Sequence, residues 1–127
     1  MKRITITELL AIYHKHNTQN KPYHPLNKFL CLCLTEELGG LTIIGLEDTI
    51  KEYFGRYFRF SKSHYYYGVM ELWFSERDYD TNLYVPVICH DGHQIDMSGI
   101  KSTVEFRIKL MEYIIQIDPE SCIEIHI

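Results

Sequence analysis

The sequence predicts an α+β fold: three or four helices packed around two largely apolar ones, with a small antiparallel β-hairpin and a C-terminal strand. Three observations predict it. Apolar residues recur at helical spacing in four segments, beginning near Ile6, Leu26, Leu46 and Val104. Asp91-Gly92 stands between two apolar-containing runs, and a type I′ hairpin turn needs positive φ at both of its central positions. Cys122-Ile123-Glu124-Ile125-His126-Ile127 alternates, which puts the three isoleucines on one face of a strand.

The first helix has the clearest start. Thr5-x-x-Glu8 is a capping box, in which each side chain can satisfy the other residue's backbone N–H. Ile4 and Leu9 are placed to form a hydrophobic staple across that start. Ile6, Leu9, Leu10 and Tyr13 share a face, and the pattern fades at His14-Lys15-His16, cations that suit a helix C-terminus. His14 and His16 are two positions apart, do not face each other on a helix, and are expected in solvent rather than as ligands. A polar loop with Pro22 follows.

The second helix is expected from Pro25, which suits a first turn, to Leu38, with Gly39-Gly40 ending it. It is apolar on most sides, and a buried strand over Phe29–Leu34 is the competing reading. The third runs from Leu46 to about Tyr57, with Glu47 and Asp48 offsetting the dipole in its first turn. Residues 64–75 fit a helix by the spacing of Tyr66, Val69, Met70 and Trp73, against the strand preference of so many aromatics. An acidic loop then leads to a strand over Leu83–His90, read as an edge at Pro86, which lacks a ladder donor. His93–Met97 returns as its hairpin partner. The last helix starts at a second capping box, Ser102-x-x-Glu105, and stops before Pro119. Val104, Ile108, Leu110, Met111, Ile114 and Ile115 give it a wide apolar arc that calls for packing on two sides.

With 127 residues, the whole chain 1–127 reads as a single globular domain. At 46% hydrophobic and 24% charged it is neither disordered nor low in complexity. No apolar run reaches the ~20 residues of a membrane helix. Met1–Thr5 reads as a lead-in to a helix and not a signal-peptide core, so the expected location is the cytoplasm, with no membrane partner. The four cysteines, Cys31, Cys33, Cys89 and Cys122, lie in or near apolar settings and read as reduced, buried thiols. Cys31-Leu32-Cys33 lacks the second short pair that a zinc site would want.

The net charge of −4 tells against nucleic-acid binding. Its distribution is uneven: residues 51–70 carry +3 and residues 71–100 carry −5. Eight of the fifteen positions from Tyr53 to Tyr67 are Tyr or Phe, interleaved with Arg56, Arg59, Lys62 and His64. Aromatics beside arginine anchor protein interfaces, which marks Arg56, Arg59, Lys62, Tyr65, Tyr67 and Trp73 as candidate partner-binding residues. The same interleaving could stack single-stranded nucleic acid through 51–67, although the helical spacing of Tyr53, Phe54 and Tyr57 assigns those rings to the core and the acidic segment beside it would repel phosphate.

His90, Asp91, His93 and Asp96 are the one cluster of metal-type or acid–base side chains. The hairpin turn explains Asp91-Gly92 without function, and a metal-dependent hydrolase or nuclease is the alternative it leaves open. Arg107 falls inside the apolar arc of the last helix, where a cation must snorkel or find a carboxylate, as a structural ion pair or as an anchor. No phosphate-binding glycine loop, nucleophile elbow or nucleophilic-cysteine context is present, and no cofactor is expected. The functional expectation is therefore a non-catalytic protein-interaction module, an accessory or inhibitor protein of the phage or mobile-element kind. It would bind a protein partner and could self-associate as a homodimer, because a terminal alternating strand offers an edge.

Overall fold

In the computed structural model, residues 1–16, 26–40, 43–60, 88–97, 99–100 and 103–127 are described. They run β1 (Lys2–Thr5), α1 (Ile6–His16), α2 (Leu26–Glu37), α3 (Leu46–Gly55), β2 (Arg59–Phe60), β3 (Ile88–His90), β4 (His93–Gln94), α4 (Thr103–Ile117) and β5 (Cys122–Ile125). The four helices and two small antiparallel sheets make an α+β architecture, as expected. No helix among the described residues is long and apolar enough to cross a membrane.

The chain starts as a strand and not as a lead-in to α1. β1 pairs antiparallel with β5, Ile4 opposite Ile123 and Arg3 opposite Glu124. The two isoleucines are buried, and Arg3 and Glu124 close an exposed ion pair at 3.1 Å. One edge of the C-terminal strand, open in the sequence reading, is thus filled by residues 2–5 of the same chain. Four residues with a single inward apolar side chain carry no readable period, so only the partner strand makes them a strand.

At the start of α1 the cap is half of what the box predicts. The Glu8 N–H donates to Thr5 Oγ1 at 3.1 Å, while the Glu8 carboxylate accepts from the Thr5 hydroxyl at 3.2 Å. Ile6, Leu9 and Tyr13 are buried and Leu10 is half-buried against the core, so the predicted face of α1 is the face that packs. His14 is exposed, but His16 is not solvated as expected: its side chain is 14% exposed. Its Nε2 lies 3.1 Å from Glu37 and its Nδ1 3.4 Å from Glu36, and Lys15 also reaches Glu37 at 3.0 Å. The carboxylates come from the end of α2, which helical spacing within α1 could not reveal.

α2 is a helix throughout Phe29–Leu34, so the strand alternative fails. It ends at the glycines by a Schellman arrangement: Gly40 N–H reaches Thr35 O at 2.8 Å and Gly39 N–H reaches Glu36 O at 3.1 Å. Gly39 has φ 86°, which a side chain would resist. α3 stops two residues earlier than predicted, and Tyr57 and Phe58 continue as a turn bonded back to Phe54. The core unites Leu9 and Tyr13 with Phe29, Leu30, Ile50, Tyr53, Phe54, Phe106, Leu110 and Ile114, all from the four helices. In α4 the buried stripe is Phe106, Arg107, Leu110, Met111 and Ile114, while Val104, Ile108 and Ile115 are only partly covered.

β3 is the middle strand of a second sheet, with β2 on one side and β4 on the other. The expected hairpin forms, with His90 opposite His93 and Asp91-Gly92 at the turn in positive φ (49° and 79°). β2 is an addition that the sequence did not announce; Arg59 faces Cys89 across the ladder and Phe60 faces Ile88. The helix expected at residues 64–75, the strand portion 83–87 with Pro86, and the box residue Ser102 lie outside the described residues.

Candidate functional site

The predicted metal-type cluster and the predicted basic–aromatic segment meet at one place, the junction of α3's C-terminal turn with the β3–β4 hairpin. The junction is built by Tyr57. Its backbone carbonyl receives His90 Nδ1 at 2.5 Å, and its ring lies 6.4 Å from the His90 ring at 29°. Tyr113 of α4 meets the same imidazole edge-on, at 5.5 Å and 71°. A carbonyl oxygen only accepts, so His90 Nδ1 carries the hydrogen, and Nε2 of the neutral ring holds the lone pair.

The Tyr57 hydroxyl works in the opposite direction. It donates to Asp118 Oδ2 at 2.8 Å and sits 2.5 Å from Ser121 Oγ, which in turn is 2.8 Å from the Tyr53 hydroxyl. An ionised carboxylate accepts only, so the chain has one polarity: Tyr53 donates to Ser121, Ser121 to Tyr57, and Tyr57 to Asp118. Burial pushes the Tyr53 phenol up to about 12. Burial also raises that of Tyr57, with the Asp118 carboxylate pushing the same way against the Ser121 bond. These phenols are structural donors at neutral pH. Through Tyr57 the hairpin is tied to α3, and through its hydroxyl α3 is tied to the turn between α4 and β5.

Beside this junction is a cleft of about 300 Å³ lined by Gly55, Arg56, Tyr57, Phe58, His90 and Asp91. Arg56 and Asp91 are exposed at it, His90 is half-buried and Phe58 is buried. Of the candidate partner-binding residues, the structure thus brings Arg56 to the cleft. Arg59 contributes its backbone to β2, and Lys62, Tyr65, Tyr67 and Trp73 lie outside the described residues.

The four metal-type residues do not converge. His93 and Asp96 are exposed, Asp91 occupies the turn, and among the described residues no three His, Cys, Asp or Glu side chains are placed to hold one ion. Residues 90 and 93 pair across the ladder, while Asp91 sits in the turn between them. Two of the thiols are no better placed for chemistry. All four cysteines are free. Burial pushes Cys33 up to about 12 and raises Cys31, so neither offers a thiolate at neutral pH.

Arg107 neither snorkels nor reaches solvent: it is fully buried. Its guanidinium lies over the Phe29 ring, 4.7 Å from the centroid. Burial raises the Tyr13 phenol and the Cys33 thiol, and the Arg107 charge beside them pulls both back down. Through the Phe29 ring Arg107 joins α4 to α2. Tyr113, Asp118 and Ser121 were not singled out in the sequence, and Tyr57 was read there only as part of an apolar helix face and of the aromatic segment. No known protein family, curated protein or solved structure matches the chain.

Proposed function

We propose that the chain is a non-catalytic protein-interaction module that docks its partner on the rim of the Arg56–Asp91 cleft. The observation that carries the reading is the division of labour among the aromatic and cationic residues. Tyr53, Phe54 and Phe58 are buried in the core and Tyr57 is bonded into the Ser121–Asp118 network, whereas Arg56 between them stands exposed. Rings committed to a core cannot stack on bases, which favours protein contact over single-stranded nucleic acid among the described residues 53–58. An exposed arginine beside an acidic turn suits a partner of mixed charge, and such rims set orientation and association rate.

On this reading the protein is a cytoplasmic accessory or inhibitory protein. Self-association is a further property of the proposal, through the remaining edges of the β1–β5 pair. The test is a pull-down from the native host with wild type and Arg56→Glu in parallel, followed by mass measurement of the intact complex. The expected result is a stoichiometric protein partner that Arg56→Glu loses and Lys28→Glu, an exposed change on α2, retains. An inert monomer with no partner overturns the proposal.

A further inference from the structure

We propose that His90 and His93 form a two-imidazole chelate for a divalent transition-metal ion on one face of the β3–β4 hairpin. The two residues are directly opposite each other in the antiparallel ladder. Side chains so placed leave from the same face with Cβ atoms about 5 Å apart, a span that two imidazoles bridge to one ion with metal–nitrogen bonds of about 2.1 Å. The two-residue turn sets that spacing, because Asp91 and Gly92 hold positive φ.

His90 is prepared as the first ligand. Its Nδ1 hydrogen is committed to the Tyr57 carbonyl, which leaves Nε2, at the distal end of the ring, as the lone-pair nitrogen. A backbone carbonyl on the other ring nitrogen is the usual outer partner of a metal-binding histidine; it selects the tautomer and fixes the ring plane. Tyr57 and Tyr113 hold that plane from two sides. His93 is exposed, so its ring can turn to the ion without repacking anything. Neutral imidazoles select zinc, nickel or copper over the calcium and magnesium that oxygen ligands prefer. Two ligands leave the remaining coordination positions to water. The site rests on the hairpin and the Tyr57 and Tyr113 contacts to His90, and its test is separate from that of the docking surface.

The test uses the full chain, labelled with ¹⁵N, reduced, and titrated with Ni²⁺, whose unpaired electrons broaden nearby amide signals. Nickel is chosen because it favours imidazole and is a weaker match than zinc to the thiols. The expected result is saturable broadening centred on residues 88–95 that weakens on acidification, since protons compete for the imidazoles. His90→Gln and His93→Gln each lower the affinity at least ~10-fold, because the second ligand otherwise binds at high effective concentration. A His14→Gln/His16→Gln variant stays within about two-fold of wild type. Broadening centred elsewhere, or a His93→Gln protein that binds nickel as tightly as wild type, overturns the proposal. If His90→Gln loses the dispersed spectrum of the fold, the His93→Gln result decides, since that side chain is exposed.

Discussion

Replacing Tyr57 by Phe removes one oxygen atom and keeps everything else the residue does. The ring still stacks beside His90, and the backbone carbonyl still receives Nδ1. What is lost is the donation to Asp118 at 2.8 Å and the contact with Ser121 at 2.5 Å. A hydrogen bond to a charged group contributes about 1.5–3 kcal/mol, and one between neutral groups about 1 kcal/mol. Tyr57 and Asp118 are both half-buried, so water recovers part of the first. Ser121 is buried but keeps Tyr53 as a partner. The net expected cost is therefore about 1.5–2 kcal/mol. With a urea slope between ~1 and 3 kcal/mol per molar, the unfolding midpoint falls by about 1 M. A double-mutant cycle with Asp118→Ala should show coupling of at least ~0.5 kcal/mol. A midpoint within about 0.2 M of wild type, with no coupling in the cycle, would refute the assignment of this network as a tie between α3 and the α4–β5 turn.

Other outcomes follow from the same packing. Arg107→Ala removes a fully buried guanidinium stacked on Phe29 and should cost about 3–5 kcal/mol. Arg107→Lys should recover only part, because a point charge lacks the planar stack; wild-type stability of the Ala variant in urea would contradict the anchoring role. Alkaline pH should destabilise the fold: native Cys33 and Tyr53 hold their protons to about 12, against ordinary values of 9.0 and 10.0. Between pH 9 and 12 the unfolded chain binds fewer protons than the native one, so the unfolding free energy falls as pH rises. Equal urea midpoints at about pH 7.5 and 10.5 would show that these groups are not buried as described. Gly92→Ala places a side chain at φ 79° with open space around it, so its cost is conformational alone, about 1 kcal/mol. Faster amide exchange at Cys89–Gln94 should report it, and wild-type exchange would mean the turn is not in positive φ.

The elements that were legible in the sequence are those whose signal is local. α1 is announced by its capping box and its apolar face, α2 by its glycine stop, and the hairpin by Asp91-Gly92. In each case the residues that define the element also satisfy its backbone, within three to five positions of one another. β1 and β2 were not legible, because four residues and two residues hold too little period to read. The first part of the aromatic segment was legible as a core face from the helical spacing of Tyr53, Phe54 and Tyr57. The packing buries Tyr53, Phe54 and Phe58 in the core and uses Tyr57 to join α3 to two other elements, a role that spacing does not show.

The sequence by itself determined the fold class, the positions of the four described helices, the hairpin and the pairing of His90 with His93, because periodicity, caps and a two-residue turn act over a few residues. Only the tertiary structure decided which side chains share a site. His16 meets Glu36 and Glu37, Tyr57 meets Asp118 and Ser121, and Arg107 meets Phe29 across separations of 20 to 78 positions in the chain. Such contacts leave no period and no spacing in the sequence. They exist because burial of the helical faces brings remote polar groups together, where leaving any of them without a partner would cost more than the contact that forms.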